Sequence, residues 1–424
     1  MNNADVVARE LGPQEVLLVE LNRRCNGAVQ LVAMVELREP MDVGDLRRAL
    51  KVIHGRHPLM RGRIEARDNL WWVCDVPFET IEIRTERLEE PFDMEAIYAR
   101  EAAIVHDVAD TAWRLVVLTD DAGRARWLIL VTNHAAIDGR SALVVFNEID
   151  KLVRDPNALD HASLPLTEAP ERGLAAAGLK GEAGIFAEWP DQASWPVDAA
   201  APAARRRPHA MLRVLPKADL QALHDRLHGE GVHLAAAFCA AAVRAGPALP
   251  GHTAWTGIVE PTDVRADCNP AIPGTAVGEF VAAINIFAGP EHDDLSTIAL
   301  ARAMGEMLRD NRPASLMMET DVPLDVTIEQ VDQIAAPSDR FASGICVSDV
   351  GDLDRLSGRP VGIGRILIMP SQNHGVHPIM VAIVSTSEGA CLSFGYDQPL
   401  RGRDAANAFA DRYVDVLRGM ARGA

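Results

Sequence analysis

The sequence predicts a mixed α/β protein of two α+β lobes, each with a sheet layered against helices. The length of 424 residues exceeds what one ordinary hydrophobic core serves, so two lobes of roughly 200 residues each are expected. Strand and helix patterns recur in both halves of the chain, as is typical of α/β lobes. Residues 154–208 are rich in Ala, Pro, Gly and Glu with weak periodicity. That stretch is typical of a crossover between lobes.

The elements of the first half follow from apolar spacing. The apolar run Val29–Leu37 predicts a strand. Helical spacing of apolar residues over 46–53 predicts a helix that ends at His57-Pro58, because the residue before proline avoids the helical region. Turn residues at 120–123 join two strands into a hairpin that ends at His134. Strands are expected over 70–76, 80–83, 113–119 and 126–132, and helices over 96–108 and after Gly139.

A linker with one short helix, expected over 173–187, precedes the second half. The second half is again predicted to contain both strands and helices. Its strands are expected over 211–215, 255–260, 281–287, 344–348, 363–368, 379–385 and 391–396. Its helices are expected over 217–227, 234–245, 295–309 and 404–417. The domains are therefore an N-terminal lobe over residues 1–170, a crossover linker over 171–208 and a C-terminal lobe over 209–424.

Composition excludes several classes of function. The net charge of −18 disfavours binding to nucleic acid or to anionic membranes. The densest basic run, Arg205–Arg207, is read as a solvated linker, with a phosphate or carrier-protein contact as the alternative. The six cysteines form no CxxC pair, which predicts neither a zinc site nor a disulfide framework. No signal peptide and no apolar run long enough to span a bilayer are seen, so we expect a cytoplasmic protein.

The strongest functional signal is the segment Trp127–Gly139. It reads as a buried strand that ends at His134, with Asp138 and Gly139 following before a new helix. Histidine suits general-base chemistry because its ordinary pKa lies near neutrality. Asp138 would either pair with an arginine or cap the helix, since aspartate is a favoured N-cap. Taken alone, His134 fits a satisfied core histidine equally well; the strand–loop–helix context favours a catalytic role.

Several segments carry a resemblance to a known superfamily. His134–Gly139 resembles the HHxxxDG signature of the superfamily that contains chloramphenicol acetyltransferase, condensation domains of nonribosomal peptide synthesis and polyketide-associated acyltransferases. Further resemblances occur in that superfamily's order along the chain. They are Arg56–Arg61 to RHPxLR, Ala112–Leu115 to PLWRL, Glu230–Leu234 to the GVT helix start, Pro261–Arg265 to PVDLR and Val347–Gly351 to SNLG.

The resemblance implies two chloramphenicol acetyltransferase-like lobes in a pseudo-dimeric arrangement with a tunnel between them. It assigns the catalytic role to His134, and to Asp138 a structural pairing with Arg265. An acyl thioester and an acceptor would enter from opposite faces, and neither a covalent intermediate, a metal nor an organic cofactor would be needed. Asn133 departs from the signature, which has histidine there. The superfamily also contains plant acyl-CoA acyltransferases, whose DFGWG motif is absent here, so the resemblance favours the bacterial, condensation-like branch over the plant branch.

Other polar residues have two readings each. Ser348 is a candidate to bind a developing oxyanion, or a plain residue at a strand end. His374 and His377 have a spacing that suits a metal pair, but the sequence offers no third ligand nearby and loop histidines are preferred.

The expected function is acyl transfer to a hydroxyl from acyl-CoA or an acyl carrier protein, by a monomer. One alternative is a stand-alone condensation enzyme that forms an amide. The other is a catalytically silent relative that binds a carrier protein.

Overall fold

A computed structural model describes residues 8–67, 70–183, 191–359 and 361–423. Its strands are β1 (Ala8–Glu10), β2 (Gln30–Met41), β3 (Gly62–Arg67), β4 (Leu70–Asp75), β5 (Ile83–Arg87), β6 (Trp113–Thr119), β7 (Ala125–Asn133), β8 (Lys180–Ala183), β9 (Arg207–Pro216), β10 (Thr256–Asp263), β11 (Val281–Ala288), β12 (Ile345–Asp352), β13 (Ile363–Pro370), β14 (Met380–Thr386) and β15 (Gly389–Gln398). Its helices are α1 (Pro13–Arg24), α2 (Val43–Arg56), α3 (Met94–Ala103), α4 (Gly139–Arg154), α5 (Pro170–Ala176), α6 (Lys217–Glu230), α7 (Leu234–Ala245), α8 (Thr297–Ser315), α9 (Leu324–Ala335), α10 (Leu353–Ser357) and α11 (Arg403–Arg422).

The first half of the chain is built around a five-stranded sheet with the order β13-β2-β7-β6-β5. Every residue of β6 is buried, and all are apolar or β-branched except Arg114, which pairs with the buried Glu101 carboxylate. Apolar side chains of α2 and α4 share one hydrophobic core with this sheet. Arg56 and His57, at the end of α2, both contact the Glu148 carboxylate of α4. The segment Arg56–Arg61, which resembles RHPxLR, therefore connects α2 to α4 through these contacts.

The second half is built around a six-stranded sheet with the order β11-β10-β12-β14-β15-β9. Strands β10, β12 and β14 run parallel to one another. Ile345 and Val347 of β12 pack into a core with α6, α7, α8 and α11. The alternate residues Cys346, Ser348 and Val350 line a cavity on the other face. One face of the sheet is thus covered by helices, and the other forms the floor of the cavity.

One strand from the second half crosses to the sheet of the first half. β13 pairs antiparallel with β2, with Ile368 opposite Ala33. The chain then returns through residues 371–379 to β14 in the other sheet. The two sheets together give the mixed α/β, two-lobed architecture that the sequence predicted. The domain boundaries at residues 170 and 208 stay a prediction.

Most predicted elements are present, and the differences have local reasons. Helix α1 was not predicted, because Val16–Val19 is an unbroken apolar run with no helical spacing. The short helix expected over 173–187 is instead α5 followed by β8, and residues 184–190 lie outside the described part of the chain. Strand β3 and helix α9 were also missed. Both carry charged or polar residues between their apolar ones, so their patterns are weak.

No single helix among the described residues is long and apolar enough to cross a bilayer. Lys217–Glu230 and Leu234–Ala248 reach that length and apolar character only when joined, and the two are bent by 105° relative to each other. All six cysteines are buried and free.

Candidate active site

His134 lies at the end of β7, on the wall of a cavity between the two halves. The cavity has a volume of about 610 Å³ and is lined by residues of both sheets. The His134 side chain is 18% exposed. The imidazole is therefore accessible from the cavity, as a general base must be.

A buried carboxylate that the sequence analysis did not identify contacts this ring. The Glu279 carboxylate oxygen Oε2 lies 2.9 Å from Nδ1 of His134, and the Glu279 side chain is only 2% exposed. The Gln14 amide donates to the second oxygen of Glu279 and to the carbonyl of Val281, both at 2.9 Å. The side chain that orients His134 is thus itself held by the first helix.

The ion pair sets the protonation of His134. Burial alone would lower the pKa of His134, but the Glu279 carboxylate, aided by Asp138, raises it above the ordinary value. Burial raises the pKa of the Glu279 carboxyl, and His134 opposes that shift. Because a carboxylate only accepts hydrogen bonds, Nδ1 carries a proton. When the imidazolium loses one proton, Nδ1 keeps the proton that faces Glu279, and Nε2 becomes the unprotonated nitrogen.

The loop after His134 brings Glu279 to the site. The amide of Asp138 donates to the carbonyl of Gly278 at 3.0 Å, and the amide of Phe280 donates to the Asp138 carboxylate at 3.2 Å. The Ser141 hydroxyl donates to the Gly278 carbonyl at 2.9 Å. These bonds fix the segment just before β11 against the start of α4, although the two segments are far apart in sequence.

Asp138 has both of the roles that the sequence left open. Its carboxylate accepts from the amide of Ser141 at 2.6 Å and so caps α4. The same carboxylate lies 2.9 Å from the Arg265 guanidinium, and the two side chains are 1% and 3% exposed. Arg265 also contacts Asp263 at 2.9 Å and lies over the Phe280 ring. The ion pair therefore joins the two halves directly behind His134.

The other predicted site residues lie around the same end of the cavity. Gly139 is the first residue of α4 and lines the cavity; a Cβ atom there would lie 3.1 Å from a methyl carbon of Val350. Close approach explains this glycine. Ser348 lines the cavity. Asn133 is 1% exposed, and its side-chain oxygen accepts from the amide of Ala135 at 2.9 Å. Asn133 thus shapes the turn that presents His134.

Sequence signals for the missed residues were limited. Glu279 stands alone among small and apolar residues directly before an apolar strand, and a lone charge there is a signal for a buried functional group. Gln14 gave no signal, since its helix was not recognised. Among the described residues, no three His, Cys, Asp or Glu side chains are grouped as ligands for a metal.

Replacing Glu279 with glutamine is expected to lower the pKa of His134. The substitution removes the negative charge that raises this pKa and leaves the burial that lowers it. The pKa of the labelled His134 ring, followed by NMR over pH, gives the measurement. Glu291→Gln, at an exposed carboxylate beside His292, serves as the matched control and should leave His134 unchanged. An unaltered His134 titration in Glu279→Gln would contradict the ion pair.

Comparison with protein-family models gives no match, and neither does comparison with curated protein sequences. Solved structures do match. The first condensation domain of the calcium-dependent antibiotic synthetase, in complex with a substrate analogue, is 18% identical, with a TM-score of 0.72 over 98% of this chain and 97% of that one. Trichothecene 15-O-acetyltransferase from Fusarium sporotrichioides is 11% identical, with a TM-score of 0.72 over 99% and 96%.

A third match is polyketide synthase associated protein 5 from Mycobacterium tuberculosis, at 16% identity and a TM-score of 0.68 over 98% of both chains. Sequence identities this low are evidence for a shared fold only. The shared fold extends over nearly the whole of each chain. The chain has the two-lobed fold that condensation domains share with acyltransferases of the chloramphenicol acetyltransferase type.

Proposed function

We propose that this protein is an acyltransferase that moves an acyl group from a thioester, acyl-CoA or an acyl carrier protein, to a hydroxyl. The observation that carries the proposal is the geometry of His134. Its Nδ1 is held by a buried carboxylate, and the ring lines a cavity between two lobes. A base oriented in this way, with one nitrogen free, suits the removal of a proton from a nucleophile.

In the proposed reaction, Nε2 of neutral His134 accepts the proton of the acceptor hydroxyl as its oxygen attacks the thioester carbonyl. The C–O bond forms, and the carbonyl becomes a tetrahedral oxyanion. Glu279 stabilises the positive charge that develops on the imidazole. The oxyanion then collapses, the C–S bond breaks, and His134 returns the proton to the departing thiolate. The products are an ester and a free thiol, and no cofactor beyond the thioester donor takes part.

Two groups are candidates to stabilise the oxyanion. The amide of Gly139 is at the start of α4, where helix N–H groups have no partner within the helix. Ser348 lines the cavity on the opposite sheet. Donors from both sides of the cleft would bind an oxygen between them. A matched pair of variants, Ser348→Ala and Ser348→Thr, tests the hydroxyl, since threonine retains it.

A hydroxyl acceptor is favoured over an amine by analogy of fold with an O-acetyltransferase. Amide formation is the alternative, because condensation domains share the same fold. The third reading is a silent carrier-binding protein, which would not need a carboxylate buried against the histidine. We expect the protein to act as a monomer.

A matrix of acyl thioesters and acceptors tests the proposal. Short, medium and long acyl-CoA thioesters are combined with alcohols and with amines of matched carbon skeleton, and free thiol and acylated product are both measured. Acceptor-dependent thiol release with ester formation is expected. Release that yields only amide would shift the assignment to condensation. Thiol release at the uncatalysed rate throughout would favour the silent reading.

A further inference from the structure

The cavity that reaches His134 has a second polar region, formed by Ser343, His374 and His377, which we call the imidazole subsite. Ser343 lies just before β12, and the two histidines lie between β13 and β14. Strand β12 connects the two regions, because Val350 lies against Gly139 at the His134 end. From Val350 back to Ile345 an extended strand rises roughly 15 Å. The imidazole subsite therefore lies toward the opposite end of β12 from the contact with Gly139.

Hydrogen bonds fix opposite tautomers in the two rings. Nδ1 of His374 accepts from the amide of Val376 at 2.9 Å, so the proton of the neutral ring is on Nε2. Nδ1 of His377 lies 3.0 Å from the carbonyl oxygen of Gly344, which can only accept. The proton of the His377 ring is therefore on Nδ1, and Nε2 is a bare acceptor. The ring centroids are 5.8 Å apart and nearly perpendicular.

Both rings stay neutral at ordinary pH. Burial lowers the pKa of His374 far below its usual value, and His377 and Arg206 add to the effect. Burial also lowers the pKa of His377 to about 4. One ring thus offers a donor, and the other offers an acceptor.

Arg206 lines the same region, but its guanidinium is already used within the protein. It is 2% exposed and donates to five carbonyl oxygens of the surrounding segments, those of Ala201, Ile334, Ala336, Asn373 and His374. The Asp397 carboxyl also lies within electrostatic reach of it. Arg206 therefore clamps three segments together, and its role is explained without an anionic ligand.

Neither Nε2 has a hydrogen-bond partner among the described residues, and both rings line the cavity. The lining continues to Gln333 and Ser338, which are exposed, so the cavity meets solvent on this side. A substrate arm that enters here passes the two imidazoles on its way to His134. We propose that the imidazole subsite binds a neutral substrate group that both donates and accepts a hydrogen bond, a hydroxyl or an amide.

The inference rests on the proposed function only in assuming that a substrate arm occupies this side. Its test therefore measures binding without turnover. α,ω-Decanediol and 1,10-dimethoxydecane share one apolar chain, but only the diol can donate a hydrogen bond as well as accept one; decanoate carries the same chain with an anionic end. Calorimetric titration should show the diol binding about tenfold more tightly than 1,10-dimethoxydecane, the effect of one well-made hydrogen-bonded group. Decanoate should bind no more tightly than 1,10-dimethoxydecane.

His377→Phe should remove the advantage of the diol over 1,10-dimethoxydecane, since it removes the acceptor of the hydroxyl proton. His374→Phe removes the donor and should weaken the binding of both compounds. His209→Phe is the matched control: this histidine stacks on Tyr396 and does not line the cavity. Pantetheine supplies neutral amides and hydroxyls on a different skeleton. Binding of pantetheine tighter than the diol assigns the subsite to the arm of the thioester donor; the reverse order assigns it to the acceptor.

A spectroscopic measurement on the wild type tests the proposal even if the variants fail to fold. In the wild type, the ¹⁵N resonance of Nε2 of His377 should move on addition of diol or pantetheine and not on addition of 1,10-dimethoxydecane. Equal affinities for diol and 1,10-dimethoxydecane, absence of binding by both diol and pantetheine, or tighter binding of decanoate would each overturn the proposal. Catalytic activity enters none of these measurements, so the subsite and the acyl transfer can fail separately.

Discussion

Replacing His134 with alanine is expected to lower kcat/KM for acyl transfer by about a hundred- to ten-thousand-fold, the usual contribution of a positioned general base. The ring is the proposed general base, it lines the cavity, and its Nδ1 is held by Glu279. His134→Gln should be nearly as inactive, because an amide can still hydrogen-bond Glu279 but cannot take up a proton. Steady-state rates with the best donor and acceptor from the thioester matrix give the measurement.

Two controls separate chemistry from folding. His161→Ala changes an exposed histidine outside the cavity and should keep full activity. Thermal unfolding of His134→Gln should resemble that of the wild type, because its amide keeps a hydrogen bond to the buried Glu279 carboxylate. In the wild type the rate should rise with pH as His134 loses its proton, and because Glu279 raises the pKa of His134, Glu279→Gln should move this rise to lower pH. Equal thiol release by wild type and His134→Ala would contradict the assignment.

Replacing Arg265 with alanine is expected to lower the free energy of unfolding by roughly 3–5 kcal/mol, because the Asp138 carboxylate is left buried without its cation. The two side chains are 3% and 1% exposed and lie 2.9 Å apart. Asp138→Ala should cost a similar amount, since it strands Arg265 and removes the cap of α4. Denaturant unfolding of both variants, with the double variant to complete the cycle, gives the coupling.

Asp263→Asn provides the matched comparison. Asp263 also contacts Arg265, but its side chain is 36% exposed, so its loss should cost less than about 1 kcal/mol. Asp138→Asn keeps an oxygen for the cap while it removes the charge, and it should fall between Asp138→Ala and the wild type. Unchanged unfolding in both Arg265→Ala and Asp138→Ala would contradict a structural role for the pair.

The sequence predicted the parts of the site that lie close together along the chain. His134 and Asp138 were found because one strand, one turn and one helix start present them within a few residues. Arg265 entered only through a resemblance of motifs, since no local pattern connects it with Asp138. Its contact depends on how the segment before β11 packs against α4, which is a property of the folded protein.

The residues that were missed show where local reasoning ends. Glu279 reaches His134 because backbone bonds at Gly278 and Phe280 fix its segment from the other half. Gln14 lies on helix α1, which was not predicted because its apolar run shows no helical spacing. The neutral state of His377 needs the Gly344 carbonyl, which comes from a different loop. In each case the partner is distant in sequence, and only tertiary packing brings the two groups together.

The crossing of β13 into the sheet of the first half has a consequence for attempts to produce the two halves separately. A fragment that stopped near residue 208 would lack β13 and leave one side of β2 with unpaired backbone groups. An open edge of this kind invites pairing with other copies, so such a fragment should aggregate. Because β13 connects the two halves covalently and by hydrogen bonds, it also limits how far the cleft can widen. We therefore expect ligand access to His134 to depend on movements of side chains and loops more than on separation of the halves.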